Sequence, residues 1–527
     1  MKKILITFFA LSFLFSSCEF DKGFEEMNVN PTSANQVNVA NKFTYLITKV
    51  SGERYENWRN SMIYNSTIMQ HHAENNWWAG DTYNRNEQWT FALFERGYPQ
   101  QVKNIEDIID QLNKEGESGT TMAMARILRV FIYHRLTDLY GDVPYSEAGK
   151  GYINGTLKPK YDAQQDIYMD MLSELEGAVA QISGDSSVGG ADIVFEGNGA
   201  HWKAFGNSLM LRLAMRLTQA DASTAQAWAV KAISGGTMTS NAHIAKIRHG
   251  DGVSGSRNGH GEVFMADQGS RISTSFMSRM DGDPRKTRLF MRNSDKSQAV
   301  ADLIGMKNGL KNDPYTDLDG NAVPAAKDWP TVGAGDTGRF AMAATELQSI
   351  TAPMVMQTYA EVELLKAEAA IRGWISTSDK DHYEAGVTAA MMMLSDLYPG
   401  MTAITQSEAD SFLSGPGAYK TGGSVAARWE QVMDQYWIAT YFNEYEAYSN
   451  WRRSGFPNIS PTRHPSSYTS GQFMIRMIYP TSESSNNAEN YAAAIARQGA
   501  DLYTTCLLYT SDAADEGLGV DLGGRRI

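Results

Sequence analysis

Two adjacent tryptophans in a polar loop are the residues of this sequence best suited to bind a ligand. Trp77 and Trp78 follow Asn75 and Asn76 within the stretch 73–83. Indole rings stack on the flat C–H faces of sugar rings, and amide side chains bond to hydroxyl groups. Large aromatic side chains are costly to expose together without a use. We therefore predict that this loop contacts a carbohydrate; the alternative is that one of the two rings fills the core.

Further ring and cation candidates lie near this loop and in a glycine-rich segment. Tyr83 and Trp89 follow the tryptophan pair, and Arg257 and His260 lie within the stretch 250–261. That stretch does not end in Gly-Lys-Ser/Thr and does not lead from a strand into a helix, so it is not a phosphate-binding loop. We predict Tyr83 as a further ligand contact, with Trp89, Arg257 and His260 as weaker candidates.

The carboxylates do not form a pattern that is typical of catalysis. A glycosidase needs two carboxyl groups about 5–10 Å apart in a cleft. Glu361, Glu363 and Glu368 lie on one predicted helix, where pairing with Lys366 and Arg372 or capping is the expected role. No Gly-x-Ser-x-Gly nucleophile motif occurs. We do not predict an enzyme.

Metal and cofactor motifs are incomplete. Asp317, Asp319 and Asn321 alternate like half of an EF-hand loop, but the terminal glutamate is missing, so a plain turn is expected. His71 and His72 are adjacent and diverge on a helix, which prevents them from forming a metal pair. Two cysteines cannot build a thiolate site or a disulfide framework. We predict no metal and no cofactor.

Helices must position these residues. In the stretch Thr120–Tyr145, apolar residues recur at three- and four-residue spacing, which predicts a buried helix. Gly141 and Pro144 mark its end. The same pattern predicts helices over 39–72, 100–113, 165–182, 201–219, 223–233, 353–372, 381–397, 407–413, 427–448 and 490–498, with Ser223 as an N-cap. Residues 235–354 are rich in glycine, asparagine and aspartate, which indicates a loop-rich insertion with few short strands.

Composition and charge restrict the partners. The chain has 527 residues, of which 42% are hydrophobic, and a formal net charge of −13. This is enough apolar material for a large core. An acidic surface argues against binding to nucleic acid or to anionic membranes. It fits a neutral ligand or a protein partner.

The N-terminus predicts export. Lys2 and Lys3 precede an apolar run that is too short to span a membrane, and small residues precede Cys18. We predict a lipoprotein signal peptide over 1–17, lipidation of Cys18, and an acidic tether over 18–38. Several acyl chains anchor a protein stably, since each buried methylene contributes about 0.8 kcal/mol.

Five stretches in order resemble the SusD/RagB family of outer-membrane nutrient-binding lipoproteins. They are LTDLYGDVPYSEA (136–148), HWKAFGNSLMLRLAMRL (201–217), DGDPRKTRLF (281–290), TYAEVELLKAEAAIRGW (358–374) and YFNEYEAYSNWRRSGFP (441–457). The resemblance implies a mainly α-helical domain over 39–505, with a tetratricopeptide-like scaffold of helix pairs and the insertion gathered against it. It also implies that Trp329, in the insertion, supplies the other side of the ligand pocket.

The same resemblance implies a function. The chain would be a lipid-anchored protein of the outer membrane, exposed at the cell surface. It would capture oligosaccharide for a SusC-like TonB-dependent transporter. Two alternatives stay open: a peptide-binding member of the family, and an assembly scaffold without a ligand.

The C-terminal tail, residues 506–527, does not share this resemblance. Cys506 to Glu516 does not resemble the family and matches the translation of a transposase sequencing adapter. We therefore expect residues 506–527 to lie outside the nutrient-binding domain.

Overall fold

A computed structural model of the chain describes residues 37–74, 79–252, 256–292, 296, 303–329 and 337–509. The predicted signal peptide, Cys18 and most of the tether lie outside the described residues. The same holds for Asn75, Asn76, Trp77 and Trp78, and for the tail beyond residue 509. Within the described parts, no helix is long and apolar enough to cross a membrane.

Helices of all lengths together make up more than half of the described chain, as predicted, and the longer α-helices form its scaffold. They are α1 Val39–Ser51, α2 Lys103–Lys114, α3 Thr120–Tyr140, α4 Gln164–Gln181, α5 Gly199–Arg216, α6 Ala222–Ser234, α7 Gly259–Ala266, α8 Tyr359–Ile371, α9 Asp379–Leu397, α10 Gln406–Leu413, α11 Val425–Ala439, α12 Glu444–Ser454 and α13 Ala488–Gln498. Consecutive helices pack as pairs, with α3 against α4, α5 against α6 and α8 against α9. The predicted scaffold of helix pairs is confirmed.

Shorter elements connect these helices. The short α-helices are Arg54–Glu56, Ser66–Ile68, Glu87–Thr90, Ala92–Gly97, Gly151–Asn154, Thr274–Arg279, Lys286–Leu289 and Glu483–Asn486. Two segments, Asn57–Asn65 and Tyr98–Val102, wind as π-helices, and Ala79–Thr82 and Ala326–Asp328 are 3₁₀ turns. The predicted helix over 39–72 is therefore interrupted, because Gly52 adopts a φ of 80° and a new helix begins after Glu53.

Strands are few and short, and each pairs with one antiparallel partner. They are β1 His72–Ala73, β2 Val143–Pro144, β3 Tyr161–Asp162, β4 Ala245–Ile247, β5 Arg271–Ile272, β6 Phe290–Arg292, β7 Tyr315–Thr316, β8 Ala322–Val323, β9 Ala341–Ala343 and β10 Met354–Gln357. The pairs are β1–β5, β2–β3, β4–β10, β6–β9 and β7–β8. Seven of the ten strands lie within residues 235–357, so the insertion contains the predicted short strands.

Other local predictions were also wrong, including the start of the helix over 353–372, where Met354–Gln357 is a strand. The expected helix over 427–448 is two helices, because Phe442 adopts a left-handed φ of 68° that an α-helix cannot contain. Asp221, rather than Ser223, caps α6, since its carboxylate accepts a bond from the Thr224 amide at 3.0 Å.

A buried ion network fastens the helix pairs to one another. The Arg212 guanidinium lies 2.6 Å from a Glu361 oxygen, and the Arg216 guanidinium lies 2.6 Å from Glu446 and 3.6 Å from Asp138. These residues come from α3, α5, α8 and α12. Burial raises the pKa of Glu446, but Arg216 and Arg212 outweigh that effect and hold its pKa at about 2.

The first residues of the predicted tail pack against the scaffold. Of residues 506–527 the structure describes four, and Tyr509 is buried with its hydroxyl 3.3 Å from the Asp138 carbonyl oxygen. The Leu508 amide donates to the Gln164 side chain at 2.9 Å. The boundary at residue 506 stays a prediction.

Candidate functional site

A strand and a 3₁₀ turn flank the segment that carries the tryptophan pair. On one side, β1 pairs with β5 of the insertion. On the other, the turn Ala79–Thr82 lies against the π-helix Asn57–Asn65. At Gly80 a Cβ atom would lie 2.0 Å from the Ile63 carbonyl oxygen, so any larger residue would push the turn away from the helix. These contacts fix both ends of the segment.

A buried carboxylate connects these ends to the insertion. Asp81 accepts hydrogen bonds from the Glu74 amide at 3.3 Å, the Gly309 amide at 2.8 Å and the Asn308 side chain at 2.5 Å. Burial raises the pKa of Asp81 to about 6, although the charge of Lys311 and these donors oppose the rise. Because Glu74 and Asp81 lie on opposite sides of the tryptophan pair, one side chain ties both ends together.

Asn308 makes further buried hydrogen bonds, and we call the bonds of Asp81 and Asn308 together the brace. Its nitrogen also donates to the His72 carbonyl oxygen at 2.8 Å, and its oxygen accepts from the Ser273 hydroxyl at 2.6 Å. His72 belongs to β1, and Ser273 directly follows β5. The brace therefore joins the scaffold, the strand pair and the insertion.

Trp329 lies near β1, the strand that precedes the tryptophan segment in the chain. Its half-buried ring packs against a small apolar cluster of Ala73, Met306, Leu310, Val323, Ala326 and Phe340. Ala73 ends β1, two residues before Asn75. The Lys307 ammonium lies 5.7 Å from the centroid of the indole ring. The structure thus packs Trp329 against the cluster that contains Ala73, although 256 positions separate the two residues in the chain.

Further rings continue along this surface. Tyr315 and His464, both half-buried, have ring centroids 4.4 Å apart, and the Tyr315 hydroxyl donates to the Gly309 carbonyl oxygen at 3.0 Å. Tyr468 is 51% exposed, and its backbone amide donates to the Tyr83 carbonyl oxygen at 2.9 Å. Tyr315 therefore lies near Gly309, which bonds to Asp81, and Tyr468 lies near Tyr83, which follows the turn Ala79–Thr82.

Tyr83 itself does not reach this surface, which corrects the expectation from the sequence. Its side chain is fully buried, and burial raises the pKa of its hydroxyl well above the ordinary value. It packs toward Phe473, with ring centroids 6.1 Å apart. Tyr83 is a core residue, whereas Trp89 is half-buried.

His260 is also a structural residue. It is 8% exposed, and its Nε2 lies 2.9 Å from the Ser61 hydroxyl. Burial lowers the pKa of His260 to about 3, so the ring is neutral at physiological pH. Arg257 bonds to the carbonyl oxygen of Gly252 at 2.9 Å within its own loop.

The carboxylates of α8 are bound within the scaffold. Glu361 pairs with Arg212, Glu363 lies 2.9 Å from Lys366, and Glu368 lies 2.8 Å from Arg453 and from Arg372. The sequence predicted Lys366 and Arg372 as partners of these acids, but not His382, which lies 2.6 Å from Glu363, nor the distant Arg212 and Arg453.

The Asp317 stretch is a turn of the β7–β8 hairpin. Asp317 accepts bonds from the amides of Asp319 and Asn321 at 2.9 and 2.8 Å, and Asp319 pairs with Arg463 at 2.8 Å. Among the described residues, no group of three or more histidine, cysteine or acidic side chains is placed to hold a metal ion.

A groove of about 410 Å³ lies elsewhere, between α10 and the stretch 282–284. Its two carboxylates are already bound, since Asp283 pairs with Arg285 at 2.5 Å and Glu408 with Arg288 at 2.6 Å. Its Phe412 is buried, so the groove offers little ring surface for stacking. We therefore favour the tryptophan segment and Trp329.

Comparison with known proteins gives a consistent result. A family model for SusD-like proteins, described as starch-binding and associating with the outer membrane, matches residues 34–480. A solved chitin-binding protein is 29% identical, with a TM-score of 0.77, and covers 90% of this chain and 100% of its own. A Bacteroidetes SusD-like structure is 25% identical over the same shares, with a TM-score of 0.78. A chitin-binding SusD homolog from Flavobacterium johnsoniae, 22% identical over 90% of this chain and 99% of its own with a TM-score of 0.74, shares the fold. None of the curated protein sequences compared with the chain matches it.

Proposed function

Because the chain belongs to the SusD-like family of outer-membrane-associated starch-binding proteins, we propose that it captures oligosaccharide for a SusC-like TonB-dependent transporter. Trp77 and Trp78 stack on sugar rings, Asn75 and Asn76 bond to their hydroxyl groups, and Trp329 closes the other side. No covalent bond is broken in this process.

The position of Trp329 is the observation that carries the proposal. Trp329 shares one apolar cluster with Ala73, while Asp81 ties both ends of the tryptophan segment to the neighbouring amide of Gly309. Pre-organised aromatic surfaces lose little conformational entropy when a ligand binds. Buried bonds thus hold both ends of the segment that contains Trp77 and Trp78, and the half-buried ring of Trp329 packs against the apolar cluster at one of those ends.

The membrane anchor and the transporter complete the proposal. Lipid on Cys18 holds the protein at the outer membrane, and the acidic tether allows it to lie over the transporter barrel. The identity of the chitin-binding relative makes chito-oligosaccharide a suitable neutral probe.

The test is a titration of residues 19–505 with chitohexaose and, separately, with mixed peptides, followed by tryptophan fluorescence and calorimetry. We expect saturable binding of the sugar. Trp77→Ala with Trp78→Ala, and Trp329→Ala alone, should each weaken binding by about tenfold or more, because each change removes a stacking surface.

Trp228→Ala is the matched control. Trp228 is a half-buried tryptophan on α6, with Lys231 4.0 Å from its ring, and its loss should leave sugar affinity unchanged. A response to peptides alone would assign the chain to the peptide-binding branch. No response to sugars or to peptides would favour the assembly scaffold.

A further inference from the structure

A short loop displays the two most exposed large hydrophobic side chains of the described chain. We define the Tyr152 loop as residues 150–160. Within it, Tyr152 is 88% exposed and Leu157 is 84% exposed. Leu157 lies close to the backbone beside Tyr152, since a Cβ atom on the preceding Gly151 would lie 3.4 Å from Leu157 Cδ2. Large apolar side chains exposed together mark an interaction surface.

Hydrogen bonds hold the backbone of the Tyr152 loop at both ends. The short helix Gly151–Asn154 closes with the Gly155 amide, which donates to the Gly151 carbonyl oxygen at 3.1 Å. The carbonyl oxygens of Lys158 and Pro159 accept bonds from asparagine side chains at the start of α13, at 3.1 and 2.8 Å. A loop that is already ordered loses little conformational entropy when its exposed side chains bind.

Positive charge accompanies the two apolar side chains. Residues 150–160 contain three lysines and no acidic residue. The Lys103 ammonium, at the start of α2, lies 4.7 Å from the centroid of the Tyr152 ring. Lys103 and Lys158 are both exposed, and among the described side chains neither takes part in an ion pair. The loop thus combines apolar side chains with cations.

The acidic side chains around the loop have partners of their own. Asp162 lies 3.1 Å from the Lys160 ammonium, and Glu147 accepts a bond from the Lys160 amide at 3.0 Å. Asp107 of α2 pairs with Lys42 at 2.6 Å. The two exposed lysines therefore keep a local positive charge, in a chain whose formal net charge is −13.

A lipid surface matches this combination better than a second protein does. Tyrosine and leucine side chains are favoured at the boundary between headgroups and hydrocarbon, and nearby lysines reach anionic headgroups. A specific protein interface buries about 800 Å² on each partner, far more than two side chains supply. The matching family is described as associating with the outer membrane. The net charge of −13 disfavours broad contact with an anionic bilayer, which confines the attraction to this loop.

We propose that the Tyr152 loop is a membrane-contact loop. Tyr152 and Leu157 enter the headgroup layer of an anionic bilayer, and Lys103 and Lys158 contact its phosphates. A single lipid anchor at Cys18 leaves the protein free to rotate over the membrane, whereas a second contact fixes which face meets the bilayer. None of the four residues belongs to the candidate sugar site, so this proposal does not depend on glycan binding.

Vesicle sedimentation tests the loop with the chain from residue 18 onward, carrying Cys18→Ser so that no lipid is attached. Tyr152→Ser with Leu157→Ser should weaken binding to vesicles that contain phosphatidylglycerol by at least about tenfold, because less apolar surface leaves water. Met265→Ser with Leu502→Ser is the matched control. It changes apolar side chains that are 67% and 48% exposed elsewhere, and it should leave vesicle affinity within about twofold.

The lysines are tested by lipid composition and salt. We expect tighter binding to vesicles that contain phosphatidylglycerol than to phosphatidylcholine alone, and a decrease at high salt. Lys103→Gln with Lys158→Gln should remove most of this preference. Lys203→Gln with Lys420→Gln removes the same charge from exposed positions outside the loop and should retain it. Thermal melting checks that each variant remains folded.

Each outcome supports or overturns the proposal. Absence of vesicle binding, or binding that the Tyr152 and Leu157 variant leaves unchanged, would overturn it. Equal binding to both kinds of vesicle would overturn the role of the lysines. Self-association in analytical ultracentrifugation that the same variant abolishes, without vesicle binding, would assign the loop to a second copy of the chain. The loop variants should bind chitohexaose as tightly as the intact chain, so failure of this proposal is distinguishable from failure of the proposed function.

Discussion

At the scale of single residues, the buried acids show how far a local pattern determines partners. From the sequence alone, Glu444, Glu446, Arg452 and Arg453 are expected to form one ion-pair network around Trp451. In the structure Glu446 instead pairs with Arg216, and Glu444 lies 2.8 Å from the His71 ring. Partners 230 and 373 residues away replaced near neighbours. A side chain pairs with whatever charge the packing of helices brings to it.

Replacing Glu446 tests this network. In Glu446→Gln, two buried guanidiniums lose a shared counter-charge, so we expect the free energy of unfolding to fall by about 3–5 kcal/mol. Urea denaturation gives this value directly. As the control, Glu384→Gln breaks the partly exposed pair with Lys380 and should cost below about 1 kcal/mol. Similar losses in both variants would contradict the role of the buried network.

At the scale of elements, α3 was predicted well because its signals are local. Its apolar spacing and the glycine that follows it defined the observed bounds Thr120–Tyr140. Gly141 adopts a φ of 84°, which ends the helix at little steric cost. By contrast, the break between α11 and α12 occurs at Phe442, which has no such signal.

Gly141→Ala tests the end of α3. A Cβ atom there would lie 1.9 Å from Oε1 of Gln498, which accepts a bond from the Asp142 amide at 2.5 Å. We expect a loss of stability at least about 1 kcal/mol larger than for Gly116→Ala. Gly116 has a φ of 70° but open space around it, so that variant reports backbone strain alone. Equal melting temperatures for the two variants would show that the Gln498 contact is unimportant.

At the scale of the whole molecule, buried titratable groups set the pH range of stability. Burial lowers the pKa values of His72, His134 and His260 below the ordinary 6.5. The unfolded chain therefore binds more protons at these sites than the folded chain, and stability falls as pH decreases below about 6.5.

Buried carboxyl groups act in the opposite direction. Burial raises the pKa values of Glu56 to about 7 and of Asp81 and Asp434 to about 6. The folded state holds these protons more tightly, so their contribution is complete below about pH 4 and is lost as pH rises through 6 to 7. Between about pH 4.5 and 6.5, the histidines and these carboxyl groups change the stability in opposite directions.

We therefore expect the free energy of unfolding to change little between about pH 4.5 and 6.5 and to fall at lower pH. Below about pH 4.5, Glu56, Asp81 and Asp434 no longer offset the loss of stability caused by the histidines. Glu446, whose pKa is about 2, also begins to lose its stabilising contribution in this range. Each of these groups then lowers the free energy of unfolding by about 1.4 kcal/mol for each pH unit of further acidification. Urea unfolding from pH 3.5 to 7.5 measures this profile. Stability that rises continuously down to pH 3.5 would contradict it.

The sequence by itself determined the helices, the loop-rich character of the insertion and the ring-bearing residues worth testing. These properties depend on neighbours three or four positions apart and on local composition, which the chain carries wherever it folds. The resemblance of five ordered stretches added the family, which the match over residues 34–480 confirmed.

Tertiary structure alone decided which of those residues meet. Tyr83 and Trp329 were both ligand candidates from the sequence, yet Tyr83 is fully buried, whereas Trp329 is half-buried and packs against the cluster that contains Ala73. The sequence did not predict a role for Asp81 or Asn308, because 227 residues separate them and neither lies in a motif. Burial and pairing are set by surfaces that distant segments contribute, and no spacing along the chain encodes them.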